Sequence, residues 1–231
     1  MEKNFGPLQK KIKITFKNLD LLRQAMVHRS YINENPSFHL EHNERLEFLG
    51  DAVLELVVTD YLYRTFPAAT EGEMTNWRAS LVNSKMLAEV ARELDVEQLL
   101  YLSRGESKGS VKARAYILTN TLEALIGSIY LDRGYGAAEK FISKLILTKL
   151  PMVFEKRLDV DPKSRFQELA QEKMKITPRY QVLHEEGPDH AKIFRIGIFL
   201  EDALVAEGHG SSKQEAQEQA ATRALEVKGW E

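Results

Sequence analysis

Between Leu19 and Leu150 apolar residues recur at helical spacing, and the pattern predicts helical segments near 19 to 29, 43 to 66, 71 to 94, 111 to 132 and 137 to 149. Turn material separates them. Pro36 sits in an Asn- and Ser-containing stretch, Pro67 follows Phe66, and the polar, glycine-bearing SRGESKGS at 103 to 110 has no period. After Pro151 the pattern changes. VFEKRLDVDPKSR is charged and aperiodic, a linker that closes on Asp161 and Pro162 as the N-cap and first position of a new helix. RFQELAQEKM then reads as helix and YQVLHEE as strand. In HAKIFRIGIFLED the alternation of Phe194, Ile196, Ile198 and Leu200 marks a half-buried strand. ALVAEGHG supplies a third strand, and an alanine-rich helix closes the chain before Gly229. The expectation is an all-α domain over residues 1 to 150, a linker over 151 to 160, and a small α+β domain of order α-β-β-β-α over 161 to 231.

Composition narrows the chemistry. With no cysteine there are no disulfides, thiolate metal sites or cysteine nucleophiles, which fits a reducing compartment such as the cytoplasm. The N-terminal stretch has no apolar core of the signal-peptide kind, and no run of about 18 apolar residues occurs, so a soluble, unprocessed chain without a membrane partner is expected. The net charge of −2 gives a polyanion no global attraction, so any nucleic-acid site must be a local patch.

One predicted helix carries an anomaly. In NERLEFLGDAVLELVV, residues 43 to 58, Glu44, Glu47, Asp51 and Glu55 fall within about 80° of one another, while apolar residues cover nearly all the remaining circumference. Carboxylates at such spacing repel, by roughly 0.2 to 0.5 kcal/mol per pair even on an exposed helix. The stripe is either a solvated acid face or a site neutralised by a cation, and the apolar surroundings place the helix at the centre of its domain. A second apolar helix, AYILTNTLEALIGSIYL, has Glu123 as its sole charge, with Asn120 three residues earlier on the same face. Oxygen ligands converging from two helices suit Mg²⁺. Gly50, mid-helix beside Asp51, is expected to permit a close approach. The His39, Glu41, His42 and Glu44 group lies in a loop entering a helix and lacks the spacing of a zinc site.

HNERLEFLGDAVLELVVTDYL at 42 to 62 resembles the signature segment of bacterial ribonuclease III, and LTNTLEALIGSIYLDRGY at 118 to 135 is similar to that family's second catalytic helix. HRSY at 28 to 31 and RASLVNSKMLAEVAREL at 78 to 94 also fit. The resemblance implies an all-α endonuclease domain followed by a double-stranded RNA-binding domain. The implied activity is Mg²⁺-dependent cleavage of double-stranded RNA, with Mn²⁺ as a substitute, by a homodimer with one acidic centre per subunit. Products would carry 5′-phosphate and 3′-hydroxyl ends, and the substrates would be precursor ribosomal and messenger RNA. Carried over by position, Glu47, Asp51, Asn120 and Glu123 are the metal ligands, Asp51 and Glu123 the catalytic pair, and Glu44 a supporting acid. Asn120 stands where family members often have aspartate, so one negative charge is missing. The same resemblance leaves a rival reading, a non-catalytic duplex RNA binder that keeps the nuclease fold as a dimerisation scaffold.

In the C-terminal module the resemblance assigns Gln167 and Glu168 to a minor groove, and GPDH at 187 to 190, with Pro188 and His190, to the next. Lys213 is assigned to a phosphate, with the amides of Ser211 and Ser212 as auxiliary donors. Residues 161 to 231 hold ten Lys or Arg against thirteen Asp or Glu, a net of −3, so weak and salt-sensitive binding is expected.

Overall fold

A computed structural model describes residues 3 to 155, 161 to 188 and 192 to 230, which divide into two compact units, Met1–Asp159 and Val160–Glu231. His190 and the linker residues 156 to 160 lie outside the described residues.

In the first unit, helices α1 (Gly6–Ile12), α2 (Leu19–Ala25) and α3 (Arg29–Glu34) precede the acid helix α4 (Glu44–Thr65). There follow α5 (Glu71–Val82), α6 (Ser84–Glu93), α7 (Val111–Arg133), α8 (Tyr135–Leu145) and α9 (Leu150–Glu155). The segment expected as one helix over 71 to 94 is two. Asn83 takes an extended ψ of 157° and turns its side chain onto the Met86 N–H, so it ends α5 and caps α6. A capping box of Thr70 and Glu73 starts α5. Residues 151 to 155, placed in the linker by the charge pattern, continue as α9, and Val153 is fully buried. Phe66, Trp77 and Phe154 form an aromatic cluster with ring centroids 5.1 to 5.8 Å apart, which fastens α9 against α5.

The core runs through α4, α6, α7 and α8, from Leu54, Val57 and Val58 to Leu87, Leu118, Leu122, Leu125 and Ile142. Only part of the α4 circumference enters it. Phe48 is 81% exposed and Leu56 57% exposed, so the helix expected at the centre of its domain buries only part of its apolar circumference.

In the second unit, α10 (Pro162–Met174) is followed by β1 (Arg179–Glu186), β2 (Ile193–Leu200), β3 (Ala203–Gly210) and α11 (Lys213–Lys228). The sheet is antiparallel in the order β1-β2-β3. Asp161 caps α10, accepting from the N–H groups of Lys163 and Ser164. Alternation on β2 buries Ile196, Ile198 and Leu200 on one face, and Ile198 and Leu200 meet Phe166, Ala170, Ala220, Ala221 and Ala224 of the helices. The small residues have a geometric cause. A Cβ at Gly208 would lie 2.2 Å from the Ala216 carbonyl oxygen, so β3 and α11 touch backbone to backbone. Trp230 packs on Phe166, ring centroids 5.3 Å apart.

Candidate metal centre and nucleic-acid face

The crossing of α4 and α7 builds the acidic site. A Cβ at Gly50 would fall 1.7 Å from the Glu123 carbonyl oxygen, and one at Gly127 would fall 2.2 Å from the Leu46 carbonyl oxygen. Neither position tolerates a side chain, so the two backbones press together. That contact brings Glu47 and Asp51, which flank Gly50, against Asn120 and Glu123, which precede Gly127 by about two turns and one turn. Gly50 was legible as a close approach, whereas its counterpart Gly127, inside the run LIGSIYL, was missed. A mid-helix glycine costs about 1 kcal/mol against alanine, and that cost was the available signal.

The electrostatics follow from the geometry. Burial, then the charges of Asp51 and Glu47, push the Glu123 carboxyl up to about 8. Burial, and then Glu44 and Asp51, also raise Glu47, against which the neighbouring Asn120 amide acts. Glu47 Oε2 is buried without a hydrogen-bond partner. An orphaned carboxylate oxygen amid like charges is costly unless a cation completes it. The donor set of three carboxylates and an amide is all oxygen, the set a hard divalent cation takes. Among the described residues no three His, Cys, Asp or Glu already surround one point, so the open arrangement would have to close on the ion.

The residues around Glu44 explain a motif whose physical role the sequence did not disclose. His28 caps α3, its Nδ1 lying 2.8 Å from Ser30 Oγ and accepting from the Ser30 N–H at 3.3 Å. Arg29 reaches Glu44 at 3.3 Å, with His42 Nδ1 at 3.7 Å from its other oxygen. Tyr31 packs on Phe38 and Tyr101. HRSY therefore anchors and partly neutralises the outer acid. Asn43, buried at the start of α4, donates from its amide to the Ala25 carbonyl and fixes that helix end. Glu55 pairs with Arg78 at 3.0 Å, which separates it from the central acids.

In the second unit Gln167 and Glu168 are exposed on α10 and Pro188 is exposed after Gly187, whose φ is +93°. Lys213, at the first position of α11, is exposed, 3.3 Å from Glu185 and 5.6 Å from the centroid of the Phe194 ring. The Ser211 amide, expected to be available to phosphate, already donates to Glu215 Oε2 at 2.7 Å, as does the Ser211 hydroxyl. Ser212 caps α11 through the Glu215 N–H.

Known proteins are similar to this chain in sequence and, over its first unit, in fold. Residues 18–150 match a family model described as Ribonuclease-III-like, and residues 162–228 one described as double-stranded RNA binding motif. The sequence is 44% identical over 226 residues to the Ribonuclease 3 of Carboxydothermus hydrogenoformans, covering 98% of this chain and 96% of that one. It is 41% identical over 219 residues to the Ribonuclease 3 of Dehalococcoides mccartyi, with 95% and 92% covered. The fold is similar to the nuclease domain of the ribonuclease III of Campylobacter jejuni, at a TM-score of 0.58 and 37% identity over 64% of this chain and 99% of that one. In that Campylobacter jejuni domain, structural flexibility is described for a region involved in dimer formation.

Proposed function

The chain belongs to the ribonuclease III family and is an endoribonuclease, and from that premise we propose that it hydrolyses double-stranded RNA at a divalent-metal centre formed by Glu47, Asp51, Asn120 and Glu123. The observation that carries this reading is the Glu47 oxygen buried without a partner beside a Glu123 carboxyl raised to about 8. Charged, these groups disfavour one another, and either a proton on Glu123 or a bound cation relieves the repulsion.

Mg²⁺, with Mn²⁺ as its substitute, would supply Lewis acidity to activate a water and to stabilise charge developing on the phosphate and the 3′ oxygen. The protein's own part is positioning. Gly50 and Gly127 set the spacing of the two helices, Asn120 restrains Glu47, and Arg29 steers the Glu44 carboxylate. Asp51 and Glu123 are the catalytic carboxylates, and Glu44 supports them from the outer edge. In this reading products end in 5′-phosphate and 3′-hydroxyl groups, and the duplexes belong to ribosomal and messenger precursors in the cytoplasm. Gln167, Glu168, Pro188, His190 and Lys213 meet the duplex from the second unit, through grooves and backbone rather than base sequence.

A homodimer is part of the proposal. Phe48 stands exposed beside an open cavity of about 670 Å³ whose apolar lining includes Leu21, Leu46, Leu49 and Leu131. An exposed aromatic ring next to an apolar hollow is self-complementary under two-fold symmetry, each protomer's Phe48 filling the other's cavity. Sedimentation should show a dimer that Phe48→Ala weakens; a monomer at all concentrations would remove this part.

The test of the activity is single-turnover cleavage of a long RNA duplex with and without Mg²⁺, for the chain as it stands, Glu123→Ala and Asn120→Asp. The expected result is Mg²⁺-dependent cleavage by the first and the third and none by the second. Duplex binding without cleavage by any version would replace the enzyme with the RNA-binding scaffold.

A further inference from the structure

Glu185 and Phe194 are cross-strand partners on β1 and β2, and Lys213 at the start of α11 closes over both. Its ammonium lies 3.3 Å from Glu185 Oε1 and 5.6 Å from the centroid of the Phe194 ring. Lys192 approaches the other oxygen of the same carboxylate at 3.9 Å. A carboxylate thus sits where the lysine would otherwise meet a phosphate, on a unit whose net charge already opposes RNA. We infer that Glu185 is an internal counterion of Lys213, a positioning residue that sets the affinity for duplex RNA by competing with the RNA phosphate for the same cation.

The inference rests on the RNA-binding role proposed for Lys213 and adds a sign to it. A duplex phosphate reaching Lys213 displaces one anion by another, so the contact contributes less than a phosphate meeting an unpaired lysine. The Phe194 ring keeps the ammonium in place by cation–π attraction whether or not the carboxylate is charged. Neutralising Glu185 therefore exposes a cation already held at the RNA face. Most substitutions at a binding surface weaken it, whereas this one strengthens it. The pair is partly exposed, with 59% of the Lys213 side chain and 37% of that of Glu185 accessible, which limits the gain.

The experiment measures binding of the full chain to an RNA duplex of about 20 base pairs, longer than the ~16 such a module spans. It is run without divalent cations, so that nothing is cut, across a potassium chloride series. Glu185→Gln should bind about two- to fivefold tighter at low salt. Its salt dependence should steepen by up to about one phosphate contact. The gain should shrink in a Lys213→Ala background to the share that Lys192 carries, and be smaller in Glu186→Gln, which removes an equal charge next to a different partner, His184. No gain, a loss, or an equal gain in Glu186→Gln or in the Lys213→Ala background overturns the inference, the last two because they reveal a diffuse charge effect. If Lys213→Ala alone binds as the parent does, it is the RNA role of Lys213 that fails, and this outcome is distinguishable from the others. Thermal unfolding of each variant checks that the fold is kept.

Discussion

The two units share one construction device and use it to opposite ends. In each, glycine lets two backbones touch: Gly50 and Gly127 between α4 and α7, and Gly208 between β3 and α11. In the first unit the contact draws carboxylates together in a half-buried place and leaves one oxygen without a partner. In the second it packs a sheet on a helix without gathering like charges: Arg195 pairs with Glu207 at 2.7 Å and Lys213 with Glu185, while Arg165 Nε and the Tyr180 hydroxyl are the buried polar atoms left without a hydrogen-bond partner among its described residues. The difference teaches that a reactive site gathers like charges in one place, whereas a groove-reading face spreads small contacts whose charges are nearly balanced.

The strongest way to break this comparison is to add one methyl group to each unit. On an unconstrained helix Gly→Ala stabilises by about 1 kcal/mol. Gly127→Ala should instead destabilise by about 3 kcal/mol or more in urea unfolding and abolish cleavage, because its Cβ would lie 2.2 Å from a backbone oxygen that cannot yield. Gly208→Ala should destabilise the second unit by a similar amount, weaken duplex binding, and spare Mg²⁺ binding to the first. Equal loss of both functions in either variant would mean that the units do not act separately.

A second probe is pH. Without metal the Glu123 carboxyl is raised from 4.5 to about 8, so between those values the folded state holds a proton that the unfolded state releases. Its contribution to stability is complete below pH ~4.5 and is lost as pH rises through about 8. The metal-free protein should lose stability over that window, and Glu123→Gln should flatten the slope. Divalent binding must displace the same proton, so affinity by calorimetry should rise up to about tenfold per pH unit and level off near 8. Duplex binding by the second unit should show no such window.

A weaker effect is expected from Asn120→Asp, which adds a carboxylate to three that already repel one another. Metal affinity should increase several-fold, by about 1 kcal/mol, and stability without metal should fall. An unchanged affinity would place Asn120 outside the coordination sphere. Smallest of all, Gln167→Ala on the exposed face of α10 should weaken duplex binding about two- to threefold at constant cleavage rate, as one contact among many.

Much of this was legible in the chain because the signals were local. The acid stripe of α4, the solitary Glu123 in an apolar helix and the alternation of Phe194 to Leu200 each follow from one element's own period. What escaped depended on pairs of elements. Gly127 matters only because α4 lies against it, and Arg29 only because α3 brings it to Glu44. The exposure of Phe48 and Leu56 could not be read from the sequence, since an apolar side chain covered by a neighbouring helix and one left bare have the same spelling. The break at Asn83 was missed for a third reason: an amide that caps a helix is indistinguishable in the sequence from one on its surface.

The chain has two tryptophans, and each unit holds one of them against a phenylalanine: Trp77 with Phe66 and Phe154, Trp230 with Phe166. The molecule therefore carries two tryptophan fluorophores, excitable apart from its eight tyrosines, each reporting on its own neighbourhood. With Trp77→Phe the remaining emission follows the second unit alone, and with Trp230→Phe it follows the first. Denaturation, metal uptake and RNA engagement can then be timed separately in one polypeptide, by light, without attaching a dye.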